Sequence, residues 1–363
     1  LIVILSEAKD LRFFTVFRMT LRYKALRMTT DITNESGVIM QDNIQIIRVI
    51  IVSFLIALFL GPVVIPVLKR LKVGQSIRED GPQTHLSKAG TPTMGGIIII
   101  LAIITSIVTG RLFTREIMAV IFFMLGFGAV GFIDDYLKVV MRQNEGLKPS
   151  QKIIGQLIFS VLLAWYGSRY SAMGTTLMIP FVNIHIDLGV LYIPFIVFIT
   201  LGTVNAVNLT DGLDGLNTGV TLIVMAAFSL IANSLKDTNQ MYEGIALISA
   251  ATSGTCLGFL KHNANPAKVF MGDIGSLALG GIVSAVAVLS GTVLFIPIIG
   301  GIYFVEALSV IIQVSHYKRT RRRVFKMAPL HHHFEMCGWK ETKVVGVFWI
   351  ATLILAFVGI YSI

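Results

Sequence analysis

Apolar runs of about 20 residues recur along nearly the whole chain, and they decide what it can fold into. A helix of that length matches the thickness of a bilayer's hydrocarbon core, where no water is present to satisfy an open backbone. Only helices and closed barrels are tolerated there, and these runs are too long and too uniformly apolar for barrel strands. Ten candidate spans fall at roughly 46–68, 94–109, 116–133, 153–168, 190–208, 216–233, 243–260, 274–291, 295–315 and 344–362. Composition agrees. Only 14% of the 363 residues are charged, against about a quarter in soluble domains, and mean hydropathy is +0.79. The reading is an all-α polytopic integral membrane protein, with residues 40–363 as one ten-helix transmembrane domain.

Charge orients the helices. The odd-numbered connections carry nineteen Lys and Arg residues and the even-numbered ones carry four: Arg111, Arg115, Arg169 and Lys236. Basic loops stay on the cytoplasmic side. The odd loops therefore face the cytoplasm and both chain ends face outward. The net charge of +10 reflects this bias, so no nucleic-acid partner is expected. Residues 1–39 do not fit, because they place six Lys or Arg on the outer side. They lack the apolar core and cleavage site of a signal peptide. They read as a non-native or disordered extension, with Met40 just before the first span. Gly61, Pro62 and Pro66 are expected to kink the first span, and Pro297, Gly300 and Gly301 to disturb the ninth.

Acids in such a chain are conspicuous. An aspartate at mid-bilayer costs about 2.5–3.5 kcal/mol on insertion scales. Five sit at the ends of apolar runs, all on the odd-loop face. GFIDDYLK contains Asp134 and Asp135, which point about 100° apart on a helix, with Lys138 in reach of either. One lysine cannot neutralise both, which leaves a carboxylate for a metal or a proton. In NAVNLTDGLDGLN, Asn205, Asn208, Asp211 and Asp214 recur at every third residue, the period of a 3₁₀ turn. HNANPAKVFMGDIGS carries Asn263, Phe270 and Asp273, the last near a helix start where backbone N–H groups and a hard cation can share a phosphate. In the first cytoplasmic loop, Lys88 and Thr93 are candidates for phosphate contact.

MAPLHHHFE lies in the ninth connection, on the same face. Three consecutive histidines do not converge on one zinc ion, and Cys337 alone adds little. Beside several Arg and Lys residues, His331, His332 and His333 suit anion binding or proton transfer. Gathered at one membrane face, these groups offer oxygen ligands for Mg²⁺, cations for phosphates, and amides and an aromatic ring for a base. That set fits phosphoryl transfer between a nucleotide-linked donor and a lipid-borne acceptor. There is no GxxxxGK[ST] loop, so P-loop chemistry is excluded. A transporter would keep its acids near mid-bilayer rather than at one edge.

The four motifs GFIDDYLK, NAVNLTDGLDGLN, VFMGDIGS and MAPLHHHFE together resemble the polyprenyl-phosphate N-acetylhexosamine-1-phosphate transferases. MAPLHHHFE and HLSKAGTPTMGG narrow the likeness to the phospho-N-acetylmuramoyl-pentapeptide-transferase family, from about residue 40 to the C-terminus. The resemblance implies transfer of phospho-MurNAc-pentapeptide from UDP-MurNAc-pentapeptide to undecaprenyl phosphate, giving UMP and lipid I for peptidoglycan. It implies Mg²⁺ dependence, a homodimer, a bent ninth helix and a place in the bacterial cytoplasmic (inner) membrane. On matching positions, Asp273 would bind Mg²⁺, Asp134 would serve as base or nucleophile with Asp135 in support, and His331 would join the catalytic set. Asn208, Asp211, Asp214, Asn263 and Phe270 would line the nucleotide pocket, and Asn205 would be a further substrate-binding residue. Lys88, Thr93, Lys138, His332 and His333 would face the diphosphate, sugar or peptide. The competing donor is UDP-GlcNAc, against which the histidine motif argues.

Overall fold

The computed structural model describes residues 43–71, 88, 90–139, 141, 146–182 and 184–363. The expected extension, 1–39, lies outside the described residues. The chain divides into two units, Leu1–Arg48 and Val49–Ile363. Of the first, only the opening turns of helix α1 (Asn43–Arg70) are described, and the account below concerns the second.

Each apolar run becomes a helix. After α1 come α2 (Gly96–Gly110), α3 (Arg115–Val139), α4 (Pro149–Tyr170), α5 (Tyr192–Thr210), α6 (Leu216–Leu235), α7 (Met241–Asn263), α8 (Gly272–Ser290), the short α9 (Ile296–Ile299), α10 (Gly301–Thr320), the short α11 (Leu330–Met336) and α12 (Glu341–Ile360). Among the described residues, seven helices are long and apolar enough to cross a membrane, and a broken span raises this to eight. The chain is a multi-pass membrane protein. Of the other two predicted spans, α2 has 15 residues, about 22 Å at 1.5 Å per residue, and α4 is polar along its first two turns.

The ninth run breaks where its Pro and Gly residues fall. Pro297 opens α9, Gly300 interrupts it, and α10 leaves at 82° to the segment before. The first run has no such break: α1 stays helical through Gly61, Pro62 and Pro66. The fold is also not purely helical. Between α4 and α5, β1 (Thr176–Ile179) pairs antiparallel with β2 (Ile184–Asp187), Thr176 opposite Asp187. This connection is rich in β-branched residues and its ladder is tied to the bundle end, Met178 N–H donating to Gly291 O at 3.0 Å.

Helix α8 is the axis of the bundle, buried continuously from Ile274 to Ser290, as befits a helix apolar all round. Glycines let its neighbours approach closely. A methyl on Gly131 of α3 would run into the Asp273 carbonyl, and one on Gly96 of α2 would run into Gly275. The outer faces of α1 and α12 carry Phe59, Val63, Ile350, Ile354 and Phe357 exposed, as a lipid-facing surface requires. The start of α8 shares one end of the bundle with the end of α3 and the start of α4.

Candidate active site

Helix α3 runs past its two aspartates to Val139, so Asp134 and Lys138 stand one turn apart and pair at 2.7 Å. The chain then returns through Gly146, whose φ of +62° aims the Leu147 N–H at Asp134 Oδ1, 2.7 Å away. Pro149 starts α4, and its first turn carries Lys152. That ammonium lies 3.4 Å from Asp134 Oδ2 and 2.9 Å from Asp273 Oδ2. Lys138 reaches the same Asp273 oxygen at 2.9 Å. Asn208 completes the ring, donating to Asp273 Oδ1 at 2.8 Å and to Ser276 Oγ at 2.7 Å. Two carboxylates therefore share two ammonium groups. The Asp134 side chain is only 3% exposed, whereas Lys138 is 38% exposed. Of the four charged groups Lys138 is the most exposed, while Lys152 and Asp273 are equal at 18%.

Asp135 points elsewhere. Its Oδ2 accepts the Ile274 N–H at 3.0 Å, capping α8 from a neighbouring helix. Gly272, at φ +74°, lets that turn close against Asp135 and Thr93. The sequence left one of the paired aspartates free. In the structure both are engaged, because their 100° divergence sends one to the lysines and the other to the α8 amides.

The three-residue ladder does not stay a ladder. The backbone remains α-helical to Thr210 and then turns, so its four polar residues diverge. Asn205 forms an amide pair with buried Gln156, Nδ2 to Oε1 at 2.7 Å, and clamps α5 to α4. Asn208 serves Asp273. Asp211 is half-buried at the turn, where burial first, and then the charges of Asp273, Asp135 and Asp214, push its carboxyl well above the ordinary value. Asp214 is buried in a second cluster. There Lys88 Nζ lies 2.7 Å from Asp214 Oδ1 and 2.6 Å from Glu341 Oε1. Asn265 Nδ2 and the Ala267 N–H donate to Asp214 Oδ2, and the Asp214 N–H donates to Glu341 Oε1.

Other candidates have structural partners too. Asn263 is buried between Thr218, which donates to its Oδ1, and the Val269 carbonyl. Thr93 is buried, and half-buried Phe270 is fixed through its backbone to Pro92 and Gly95. The histidines spread around α11. His331 turns inward beside Glu306. His332 Nδ1 lies 2.9 Å from Glu335 Oε2, and His333 Nδ1 accepts the Lys326 N–H. A methyl on Gly212 would collide with His331, so the histidine motif packs on the turn between Asp211 and Asp214.

Sequence reasoning passed over Lys152, Gln156, Ser276, Glu306 and Glu341 as site residues. For Glu306 a signal existed, since it is an ionisable residue inside an apolar span. Lys152 had none, because its partner Asp273 is 121 residues away.

Among the described residues, no group of three or more His, Cys, Asp or Glu side chains converges as a metal site. Mg²⁺ does not require one. It is commonly held by one or two carboxylates with substrate phosphates and water completing its shell. Asp273, with Asp134 beside it, supplies that donor set in oxygen ligands alone, and the residues fit such an ion.

A profile for glycosyl transferase family 4 matches residues 117–291. The first signature of phospho-N-acetylmuramoyl-pentapeptide-transferases matches residues 88–100. The chain is similar to the phospho-N-acetylmuramoyl-pentapeptide-transferase of Alkaliphilus metalliredigens, 55% identical over 89% of this chain and 100% of that one. It is 54% identical to the Alkaliphilus oremlandii enzyme over 88% of this chain and 98% of that one. For the Clostridioides difficile enzyme the figures are 52%, 86% and 96%.

Proposed function

Because the chain belongs to the phospho-N-acetylmuramoyl-pentapeptide-transferase family, we propose that it moves phospho-MurNAc-pentapeptide from UDP to undecaprenyl phosphate, releasing UMP and forming lipid I. The observation that carries the reading is the sharing of Lys138 and Lys152 between Asp134 and Asp273 at one end of the bundle. The two ammonium groups are placed to receive a diphosphate, and the carboxylates beneath them to hold a divalent cation and a proton.

In this mechanism Lys138 and Lys152 turn from the carboxylates to the donor's phosphate oxygens. Asn208 and the first turn of α8 keep Asp273 in place, and Asp135 holds that turn by its bond to Ile274. Phe270, Asp211 and the turn between α5 and α6 border the nucleotide. An oxygen of the lipid phosphate forms a bond to the β-phosphorus of the donor. The bond from that phosphorus to the bridging oxygen breaks, and UMP leaves with the oxygen. Asp134 takes the acceptor's proton or orients its phosphate. Mg²⁺, held by Asp273 with Asp134 beside it, would neutralise charge on the diphosphate.

The same reading places ten spans in the bacterial cytoplasmic membrane, both ends outside, the site facing the cytosol and two copies forming a homodimer. The excess of Lys and Arg in the odd loops supports the orientation, and the homodimer rests on the family likeness alone. Cysteines at positions 135, 214 and 273 labelled only from outside the cell would invert this topology. The decisive assay is UMP release from UDP-MurNAc-pentapeptide, with and without polyprenyl phosphate and Mg²⁺. Release that needs both additions is expected. A labelled phospho-sugar adduct on Asp134 formed without acceptor would replace direct attack by a covalent route.

A further inference from the structure

Helix α10 buries one carboxylic acid, Glu306, with no exposed surface. An acid so placed is costly unless partnered. Its Oε1 accepts the His331 N–H at 3.2 Å, and its Oε2 has no partner. The His331 ring lies alongside, Nδ1 at 3.2 Å from the same Oε1 but not aligned for a hydrogen bond. His331 is 1% exposed, and its Nε2 also lacks a partner. That nitrogen faces Gly212, where a methyl would collide with it. The ionisable groups around the imidazole are Glu306 from α10, His332 from α11 with ring centroids 4.2 Å apart, and Asp211 and Asp214, which flank Gly212.

A buried acid and a buried imidazole with three unsatisfied polar atoms between them are a poor way to pack two helices. Apolar residues of similar volume would serve stability as well or better. The arrangement makes sense as orientation. A carboxylate beside Nδ1 favours the proton there and leaves Nε2 as the working nitrogen. We infer that Glu306 is a positioning residue, whose buried carboxylate holds His331 with Nε2 against the Asp211–Asp214 turn and so sets the turn that borders the leaving UMP. The inference rests on the transferase reading for the identity of that nucleotide, and on geometry alone for the orientation of the ring.

The test uses the full chain in detergent or nanodiscs. E306Q keeps the shape of the side chain and an oxygen to accept the His331 N–H. It is expected to lower kcat for UMP release on the order of a hundredfold, while KM for the donor stays within about twofold. E306Q combined with H331N is expected to be no slower than H331N alone. Effects that multiply, or an E306Q enzyme with full kcat, would overturn the proposal. A second measurement needs no turnover. In ¹⁵N-histidine spectra, wild-type His331 is expected as a single tautomer with its proton on Nδ1, becoming mixed in E306Q. A wild-type ring protonated only on Nε2 would overturn the proposal even if E306Q failed to fold. If the wild type released no UMP, the transferase reading would fall, while the tautomer would still decide the role of Glu306.

Discussion

Two charged clusters share one end of this bundle and are built differently. In the Asp134–Asp273 cluster two ammonium groups are shared between two carboxylates, and one of them, Lys138, is 38% exposed. In the Lys88 cluster one cation, its side chain 17% exposed, is held between Asp214 and Glu341; Asn265 and the Ala267 N–H close the remaining oxygens, and the Asp214 N–H shares Glu341 Oε1 with the lysine. The first has counter-charges that a substrate can displace. The second has its hydrogen-bonding capacity spent internally and ties together the loop before α2, the turn between α5 and α6, the loop before α8 and the start of α12. Similar residue types thus give a two-lysine cluster with one well-exposed ammonium in one place and a closed one-lysine cluster in the other.

The sharpest way to break this contrast is Asp273→Asn. Turnover is expected to fall by about a thousandfold, the scale for losing a charge-stabilising group, with the thermal midpoint little changed. Normal Mg²⁺-dependent UMP release by that variant would remove Asp273 from the metal. Chelation with EDTA should stop the wild type in the same assay and added Mg²⁺ should restore it. Next in size is Lys88→Met, which leaves two largely buried carboxylates facing each other. A stability loss of about 2–4 kcal/mol is expected in denaturant unfolding, discounted from the cost of breaking a fully buried pair.

Lys152→Met sharpens the other half. Lys138 still pairs with both carboxylates, so stability should fall by less than about 1 kcal/mol. UMP release should fall by roughly tenfold to a hundredfold, as when one charge-assisted bond to phosphate is lost. If Lys152→Met unfolded the protein and Lys88→Met did not, the two roles would be reversed. The smallest effect is a pH slope. Asp211 has a raised pKa, so in metal-free buffer the folded chain retains a proton that the unfolded chain has lost. Stability should therefore fall as pH rises from the ordinary carboxylate range through the folded value. Asp211→Asn should flatten that part of the thermal midpoint against pH, and an unchanged slope would assign it to another group.

The polar residues that gather at this end of the bundle were legible as candidates, and their wiring was not. Asp134, Asp273 and His331 stood out because a polar group in an apolar run is costly and needs a reason. The broken ninth span was legible from Pro297 and Gly300, whose effect on a helix is local. Asn205 and Asn263, read from sequence as pocket residues, also hold Gln156, Thr218 and the Val269 carbonyl. The spacing of the ladder could not reveal this, because it depends on which helix lies opposite. Lys152 and Glu341 escaped notice because charged residues near helix ends are ordinary in this class of protein.

By itself, the sequence determined that the chain is a helical membrane protein, where its helices run, and which residue types are concentrated between them. Those properties follow from lengths and polarities read against a bilayer, and each belongs to a short stretch of chain. Only the tertiary structure decided that Lys138 and Lys152 meet Asp273 across 135 and 121 residues, that Lys88 is tied to Glu341 across 253, and that Glu306 reaches His331. Those meetings depend on how closely α2 and α3 approach α8 at Gly96 and Gly131 and on how the chain bends at Gly300. Packing distances and bend angles of that kind arise between segments, and no stretch of sequence carries them alone.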